Sequence, residues 1–227
     1  MSEDQSSARK DSKPVALETR DLASDGRRYS PSVARNRDVI AAVFAAYLPN
    51  AASVLEVASG TGEHGFHITQ TRSDLSWTYS DIDTDSLQSQ SAWGKAASHD
   101  RLRGPLALDV MREDWANGLG GQFDTVFCAN MIHIAPLEAA IGLIKGAGDL
   151  LSSGGHLLLY GPFARKGKIA PSNAEFSANL KRRDPLWGVR DLDHELISPA
   201  EKAGLKLSHV IEMPSNNLSV IFQRVEG

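Results

Sequence analysis

The sequence lacks three features that would each point to a particular cellular setting. Its 227 residues include one cysteine, Cys128, which excludes an internal disulfide and a zinc site built on cysteines. No apolar run approaches the roughly 20 residues that a membrane span needs. Residues 1–7 are too polar and acidic for a secretory signal. We therefore expect a cytoplasmic protein without a membrane partner.

A sustained basic stripe is missing as well. The net charge is -4, and basic residues cluster only at Arg27 and Arg28 and at residues 181–183. A protein that follows a nucleic-acid backbone needs more than two short clusters, so we expect no nucleic-acid partner. Histidines and carboxylates do not occur at metal-ligand spacing, which predicts a metal-independent protein.

What is present fits one α/β domain. The length of 227 residues and the hydrophobic content of 41% are ordinary for a globular protein with a sizeable core. Residues 1–25 are polar and lack periodicity, which predicts a flexible leader, and the domain is expected to cover residues 26–227. Residues 164–195 interrupt the alternation of strands and helices and are typical of a substrate-side insertion. The sequence leaves the oligomeric state open between a monomer and a homodimer.

Hydrophobic periodicity and stop signals predict the individual elements. The first helix has Ser30 as its N-cap and Pro31 at its first position. Helices are expected at residues 30–48, 63–71, 84–97, 137–151 and 198–204. Strands are expected at residues 54–57, 75–83, 105–110, 123–130 and 156–163, with a stop at 152–155 and a C-terminal hairpin formed by 205–213 and 218–225.

The chain is organised around residues 53–65, which read SVLEVASGTGEHG. An apolar strand ends there in a glycine-spaced turn, and Gly60 and Gly62 permit backbone conformations and close approach that a side chain would block. The helix that follows begins with unpaired amides, which favour a nucleotide-like ligand. The spacing Gly60-x-Gly62-x-x-Gly65 also fits the dinucleotide fingerprint, so an NAD-dependent oxidoreductase is one interpretation.

Three strand ends in succession carry an acid. Glu56 lies inside an apolar strand, where burial costs several kcal/mol unless the carboxylate is paired, and we expect a cationic or amine-bearing ligand as its partner. Asp81 follows Gly62 by 19 residues, close to the spacing at which an acid hydrogen-bonds ribose hydroxyls. Asp83 is the alternative, and either acid can instead cap the next helix. Asp109 ends the third strand, where it can also cap a turn.

Residues 54–62 resemble the first motif of class I S-adenosylmethionine-dependent methyltransferases, except that Ala58 stands where the usual pattern has glycine. The closer resemblance is to a poorly characterised, methyltransferase-like branch of these enzymes, in which Ala58 is the normal residue. The segments that carry the closer resemblance are 30–37, 58–64, 130–134, 159–163, 172–173, 183–191 and 213–217.

This resemblance implies a single Rossmann-like domain with a mostly parallel seven-stranded sheet, helices on both faces and a C-terminal antiparallel hairpin. It implies S-adenosyl-L-methionine as the cofactor, with an acid facing the adenine amino group at Asp109. It also implies that residues 26–50 form a lid, with Tyr29, Arg35 and Asn36 as contacts. The cofactor-binding residues expected from the motifs are Glu56, Ala58, Gly60, Thr61, Gly62, Asp81, Ile82, Asp109, Val110 and Asn130.

The acceptor side is expected beyond the carboxyl ends of the later strands, because ligands of open parallel sheets bind at that edge. His133 is the first candidate base and Tyr160 the second, although a histidine between isoleucines is also typical of a hydrogen-bonded packing residue. In the insertion, four residues are candidates for the substrate pocket: Ser172, Asn173, Trp187 and Arg190.

The sequence therefore predicts a methyltransferase that moves a methyl group to an oxygen, nitrogen or sulfur atom of a small-molecule acceptor by direct displacement. An NAD-dependent oxidoreductase would need a catalytic pair such as Tyr-x-x-x-Lys, and neither Tyr29 nor Tyr160 has a lysine four residues later. A non-catalytic scaffold that binds the cofactor is the remaining alternative.

Overall fold

The computed structural model describes residues 18–119 and 123–225. Its helices are α1 (Pro31–Tyr47), α2 (Glu63–Thr71), α3 (Thr84–Ala96), α4 (Leu137–Leu150), α5 (Pro171–Arg183) and α6 (Ile197–Lys202). Its strands are β1 (Asp21–Leu22), β2 (Arg28–Tyr29), β3 (Ser53–Glu56), β4 (Ser76–Asp81), β5 (Leu102–Ala107), β6 (Phe123–Ala129), β7 (Leu151–Ala164), β8 (Arg190–Asp191), β9 (Leu205–Met213) and β10 (Asn217–Arg224).

The main sheet has the strand order β5-β4-β3-β6-β7-β10-β9, and the short β8 pairs with β7 outside this path. The pairs β5-β4, β4-β3, β3-β6 and β6-β7 are parallel. Strand β10 is antiparallel to both β7 and β9. This confirms the predicted fold class, including the C-terminal hairpin. Because Asn217 pairs with Pro162 near the end of β7, the β9–β10 turn lies at the same edge as the carboxyl ends of the parallel strands.

The alternation of side chains along the central strands divides the apolar core between the two faces of the sheet. In β6, Val126 and Cys128 pack in a cluster with α4, whereas Phe127 between them packs on the other face with Phe44 of α1. Both sides of these strands are buried, which explains why their sequences read as continuous apolar runs. None of the described helices is long and apolar enough to cross a membrane.

Two strand predictions were displaced. The third strand covers Leu102–Ala107 instead of residues 105–110, since its register pairs Leu102 with Trp77 and Ala107 with Asp81. Asp109 therefore lies beyond the strand, in the turn that follows it. Strand β7 begins at Leu151, which pairs with Phe123. The predicted stop at 152–155 therefore lies inside the strand, where the register shifts but the pairing continues.

The predicted flexible leader overlaps an ordered arm. Asp21–Leu22 pairs with Arg28–Tyr29, and the Glu18 carboxylate accepts hydrogen bonds from the side chains of Ser30 and Ser32. Polar composition misled the prediction because this arm is held by hydrogen bonds and ion pairs more than by apolar burial. The rest of that leader, residues 1–17, lies outside the described residues.

The packing of α2 on β4 depends on Gly65. A Cβ atom at this position would lie 2.5 Å from the Trp77 ring and 2.6 Å from the Tyr79 ring, both buried in the core. We expect Gly65→Ala to lower the free energy of unfolding by about 1–3 kcal/mol, as overpacking of a filled core does. Gly94→Ala is the matched control, since nothing lies within 4 Å of its added carbon. Urea unfolding curves measure both, and an equal effect of the two substitutions would contradict the packing role.

Candidate functional site

Backbone strain is concentrated at one edge of the sheet. Among residues 18–119 and 123–225, five residues other than glycine have a positive φ angle: Ala58, Asn130, Lys166, Ser215 and Asn216. Each follows the carboxyl end of a parallel strand or lies in the β9–β10 turn, so all five are at the edge where ligands of such sheets bind. Such conformations cost free energy and cluster at functional sites. The candidate site is therefore at this edge.

The glycine turn is fixed by its neighbours on β4 and α3. The Gly60 amide donates to Oδ2 of Asp81 at 2.9 Å, and the Gln90 amide donates to the Gly60 carbonyl at 3.0 Å. Gly60 and Gly62 have φ angles of 56° and 90°, and a Cβ atom at Gly62 would meet the Gln90 backbone at 3.2 Å. The predicted need for glycine at both positions is confirmed by this geometry.

Glu56 has partners from the chain itself, which corrects the expectation that a ligand amine pairs with it. Its side chain is 1% exposed. The Trp77 indole donates to Oε2 at 2.9 Å, and Nδ1 of His64 lies 3.3 Å from Oε1. The other ring nitrogen of His64 is 2.9 Å from Oδ1 of Asn36. Glu56 therefore supports the floor of the glycine turn and is closed off from solvent.

Asp81 and Ile82 lie at the end of β4 beside the turn. The Asp81 carboxylate accepts the amides of Gly60, Ile82 and Asp83, and burial raises the pKa of this carboxyl group despite these bonds. Ile82 is 64% exposed, an apolar side chain available to a ligand. Asp83 caps α3, because its side chain accepts the Ser86 amide, so Asp81 remains the acid that faces the turn.

The third acid lies at the neighbouring strand end. Oδ1 of Asp109 accepts the Met111 amide at 2.9 Å, which is the turn-capping contact that the sequence left as an alternative. Val110 is buried, whereas Met111 is exposed next to it. Met111 was not among the predicted site residues, although its position directly after the acid at a strand end could have indicated it.

His133 follows β6 in a single short turn and is almost fully enclosed. The residue is 1% exposed, and neither ring nitrogen has a hydrogen-bond partner among the described residues. The ring packs edge-on against Phe163 at 5.2 Å, and a Cβ atom at Gly161 would lie 2.5 Å from Nε2. Burial, followed by the positive charge of Arg190, lowers the pKa of His133 to about 3. The imidazole is therefore neutral at physiological pH and enclosed, which corrects its assignment as the first candidate base and fits the packing residue that the sequence left as the alternative.

Tyr160 has a different environment from the one a base needs. Its hydroxyl is hydrogen-bonded to the side chains of Asn36 and Asn217, and burial raises its pKa. Both features oppose deprotonation near neutral pH. Tyr160 instead connects β7 to α1 and to the β9–β10 turn through these hydrogen bonds.

The predicted substrate residues of the insertion divide into two groups. Asn173 donates to the Asn216 carbonyl at 2.8 Å, and Ser172 accepts from the Asn216 side chain at 3.0 Å, so both lie at the candidate edge. Arg190 does not face a pocket: its guanidinium donates to main-chain carbonyls, which corrects its assignment as a substrate ligand. Trp187 is half-buried, and its amide donates to the Asp184 carbonyl.

On the α1 side, Asn36 is buried in the site, and Tyr29 and Arg35 lie farther out. The Tyr29 ring packs against Trp93 at 5.2 Å. The Arg35 side chain is 69% exposed and 3.8 Å from Glu18. His64 was missed by the sequence prediction, since a buried acid gives no indication of which distant histidine pairs with it. No cluster of three or more potential metal ligands occurs in residues 18–119 and 123–225.

Three solved structures that share this fold are described as methyltransferases. An O-methyltransferase family protein from Burkholderia thailandensis matches with a TM-score of 0.72 and 20% identity, over 86% of this chain and 57% of its own. A putative O-methyltransferase from Nostoc punctiforme matches with a TM-score of 0.71 and 17% identity, over 85% of this chain and 57% of its own. Human N-acetylserotonin methyltransferase in complex with SAM matches with a TM-score of 0.68 and 12% identity, over 86% and 53%.

The chain thus spans little more than half the length of these proteins, and at this identity the likeness shows the shared fold. A sequence model of a protein family of unknown function, DUF938, matches residues 27–224, which is nearly all of the described domain. The chain belongs to this family, the poorly characterised branch that its motifs predicted.

Proposed function

We propose that the protein is an S-adenosylmethionine-dependent methyltransferase that acts on a small-molecule acceptor in the cytoplasm, without a metal ion. The observation that carries the proposal is the hydrogen bond between the Gly60 amide and Asp81. This hydrogen bond brings the glycine turn next to the acid at the end of β4. A cofactor made of a nucleoside and an amino-acid part needs both groups side by side. The human enzyme of the same fold, whose structure contains SAM, supports this choice of cofactor.

The residues present fit the parts of such a cofactor. Asp81 keeps acceptor capacity for ribose hydroxyls, and the exposed side chains of Ile82 and Met111 offer apolar surface to an adenine ring. Asp109 is half-buried in the turn after β5. Asn130 lies at the same edge, directly after β6, and is assigned to the amino-acid part. When bound, the cofactor supplies an electrophilic methyl group on a sulfonium sulfur.

The chain contributes position. Holding an acceptor atom in line with the methyl group can lower the barrier by roughly 7–11 kcal/mol. His133 does not take the acceptor's proton, because its ring is enclosed and its pKa is lowered to about 3, so we assign that proton to solvent. We place the acceptor beside the segment of Ser172, Asn173 and Asn216, and nucleic acid and membranes have no part in this proposal.

Calorimetric titration with S-adenosylhomocysteine, S-adenosylmethionine and NAD tests the cofactor. We expect binding of the first two only. Asp81→Asn should weaken S-adenosylhomocysteine binding at least tenfold, because a hydrogen bond to a charged group contributes about 1.5–3 kcal/mol. Asp114→Asn is the control, since this carboxylate is exposed and lies 4.0 Å from Arg112. Binding of NAD alone would refute the proposal, and absence of any binding would favour a scaffold without this cofactor.

The pH behaviour of His133 tests whether its ring is enclosed. Because its pKa is lowered to about 3 from 6.5, the folded protein should keep this ring neutral at every pH above about 4. Proton binding is then stronger in the unfolded chain, so the contribution of His133 to stability declines as the pH falls from about 7 towards 3. Ring resonances of labelled histidine, assigned with His133→Gln, measure the titration between pH 4.5 and 8. A midpoint near 6.5 would mean that the ring is solvated and would contradict the enclosure described above.

A further inference from the structure

An arginine of the ordered N-terminal arm lies over the glycine turn. Nη1 of Arg20 donates to the Ser86 hydroxyl at 3.0 Å. Nη2 of the same guanidinium lies 3.4 Å from the position that a Cβ atom on Gly60 would take. Among the described residues Nη2 has no hydrogen-bond partner, and it is not one of the enclosed polar atoms. A ligand bound over Gly60 can therefore reach this donor.

The charge of Arg20 is not paired within residues 18–119 and 123–225, where no carboxylate lies within 4 Å of its guanidinium. The other two arginines of the arm differ in this respect. Arg27 lies 2.8 Å from Asp25, and Arg28 lies 2.7 Å from Asp85. Arg20 is thus the half-buried arginine of this arm that still has its charge available for a ligand.

Helix α3 holds the arm and the glycine turn in one frame. The Arg28 amide donates to the Ser89 hydroxyl at 2.9 Å, and the Trp93 indole donates to the Arg28 carbonyl at 3.2 Å. One turn of the same helix carries Gln90, whose side chain donates to the Gly60 carbonyl. Because one helix binds both segments, the guanidinium is placed at the turn before any ligand binds, which lowers the entropy cost of binding.

The other charges at the turn are negative. The Glu63 carboxylate accepts the Thr61 hydroxyl at 2.9 Å, and the Asp81 carboxylate accepts the Gly60 amide. The amino-acid part of S-adenosylmethionine carries a carboxylate of its own, and Asn130, which is assigned to that part, has no charge. A third carboxylate beside two others is repelled unless a cation lies close to it. The planar guanidinium of arginine matches a carboxylate with two parallel hydrogen bonds.

We propose that Arg20 is a cofactor-binding residue that pairs with the carboxylate of the cofactor's amino-acid part. This inference rests on the proposed function, because it takes S-adenosylmethionine as the ligand of the glycine turn. It makes the arm of residues 18–30 part of the cofactor site. The sequence gave no indication of this role, since polar composition placed Arg20 in a flexible leader.

The test measures two dissociation constants by calorimetry, for S-adenosylhomocysteine and for its decarboxylated analogue, which keeps the nucleoside, the sulfur and the amine. We expect Arg20→Met to weaken binding of S-adenosylhomocysteine about tenfold, as loss of a hydrogen bond to a charged group does. Binding of the analogue should stay within about threefold, because it has no carboxylate to lose a partner. Arg103→Met is the matched control, since Arg103 is exposed near the start of β5, and it should leave both constants unchanged.

Two results would overturn the inference while the proposed function stands. An equal loss of affinity for both ligands in Arg20→Met would show that Arg20 acts on the nucleoside part or on the fold. Unchanged affinity for S-adenosylhomocysteine in this variant would show that Arg20 does not contact the ligand. If the original protein binds neither ligand, the proposed function fails and the inference fails with it, so the two failures are distinguished by the original protein alone.

Discussion

The buried carboxylate of Glu56 is the group on which the arrangement of the site depends. A charge with 1% exposure would cost several kcal/mol without partners, and the chain supplies the Trp77 indole and the His64 ring. His64 in turn meets Asn36 of α1, and Asn36 shares the Tyr160 hydroxyl with Asn217. A polar path thus runs from the strand before the glycine turn to the β9–β10 turn.

This path explains how separate segments acquire a common geometry. The parallel sheet brings the ends of β3, β4 and β6 to one edge, but it does not fix the distance between the glycine turn and the β9–β10 turn. Asn36 does so, since it contacts residues on both sides. Buried networks of this kind specify one arrangement only when every member is satisfied, and the removal of any member leaves a polar group without its partner.

Much of the fold could be predicted from the sequence, because local patterns agree with the final structure. The periodicity of β6 and α4, the Ser30 cap and the glycine turn are each encoded within a few residues. The end of β5 and the start of β7 were misplaced because strand limits depend on pairing with a neighbour. The roles of His64, Tyr160 and Arg190 could not be read from the chain. His64 is 8 positions from its partner Glu56. Tyr160 is 124 positions from Asn36, and Arg190 is 58 positions from Ile132. Only the folded chain brings these pairs together.

The β9–β10 turn has a consequence for how stable this protein can be. Ser215 and Asn216 both adopt left-handed conformations, which together cost on the order of 2–4 kcal/mol for residues with a side chain. Glycine at these two positions would relieve that strain, but the Asn216 side chain would then no longer reach Ser172. The chain therefore gives up stability at this turn to keep the hydrogen bond that joins Asn216 to α5, and thermal tolerance competes there with the fixed shape of the sheet edge.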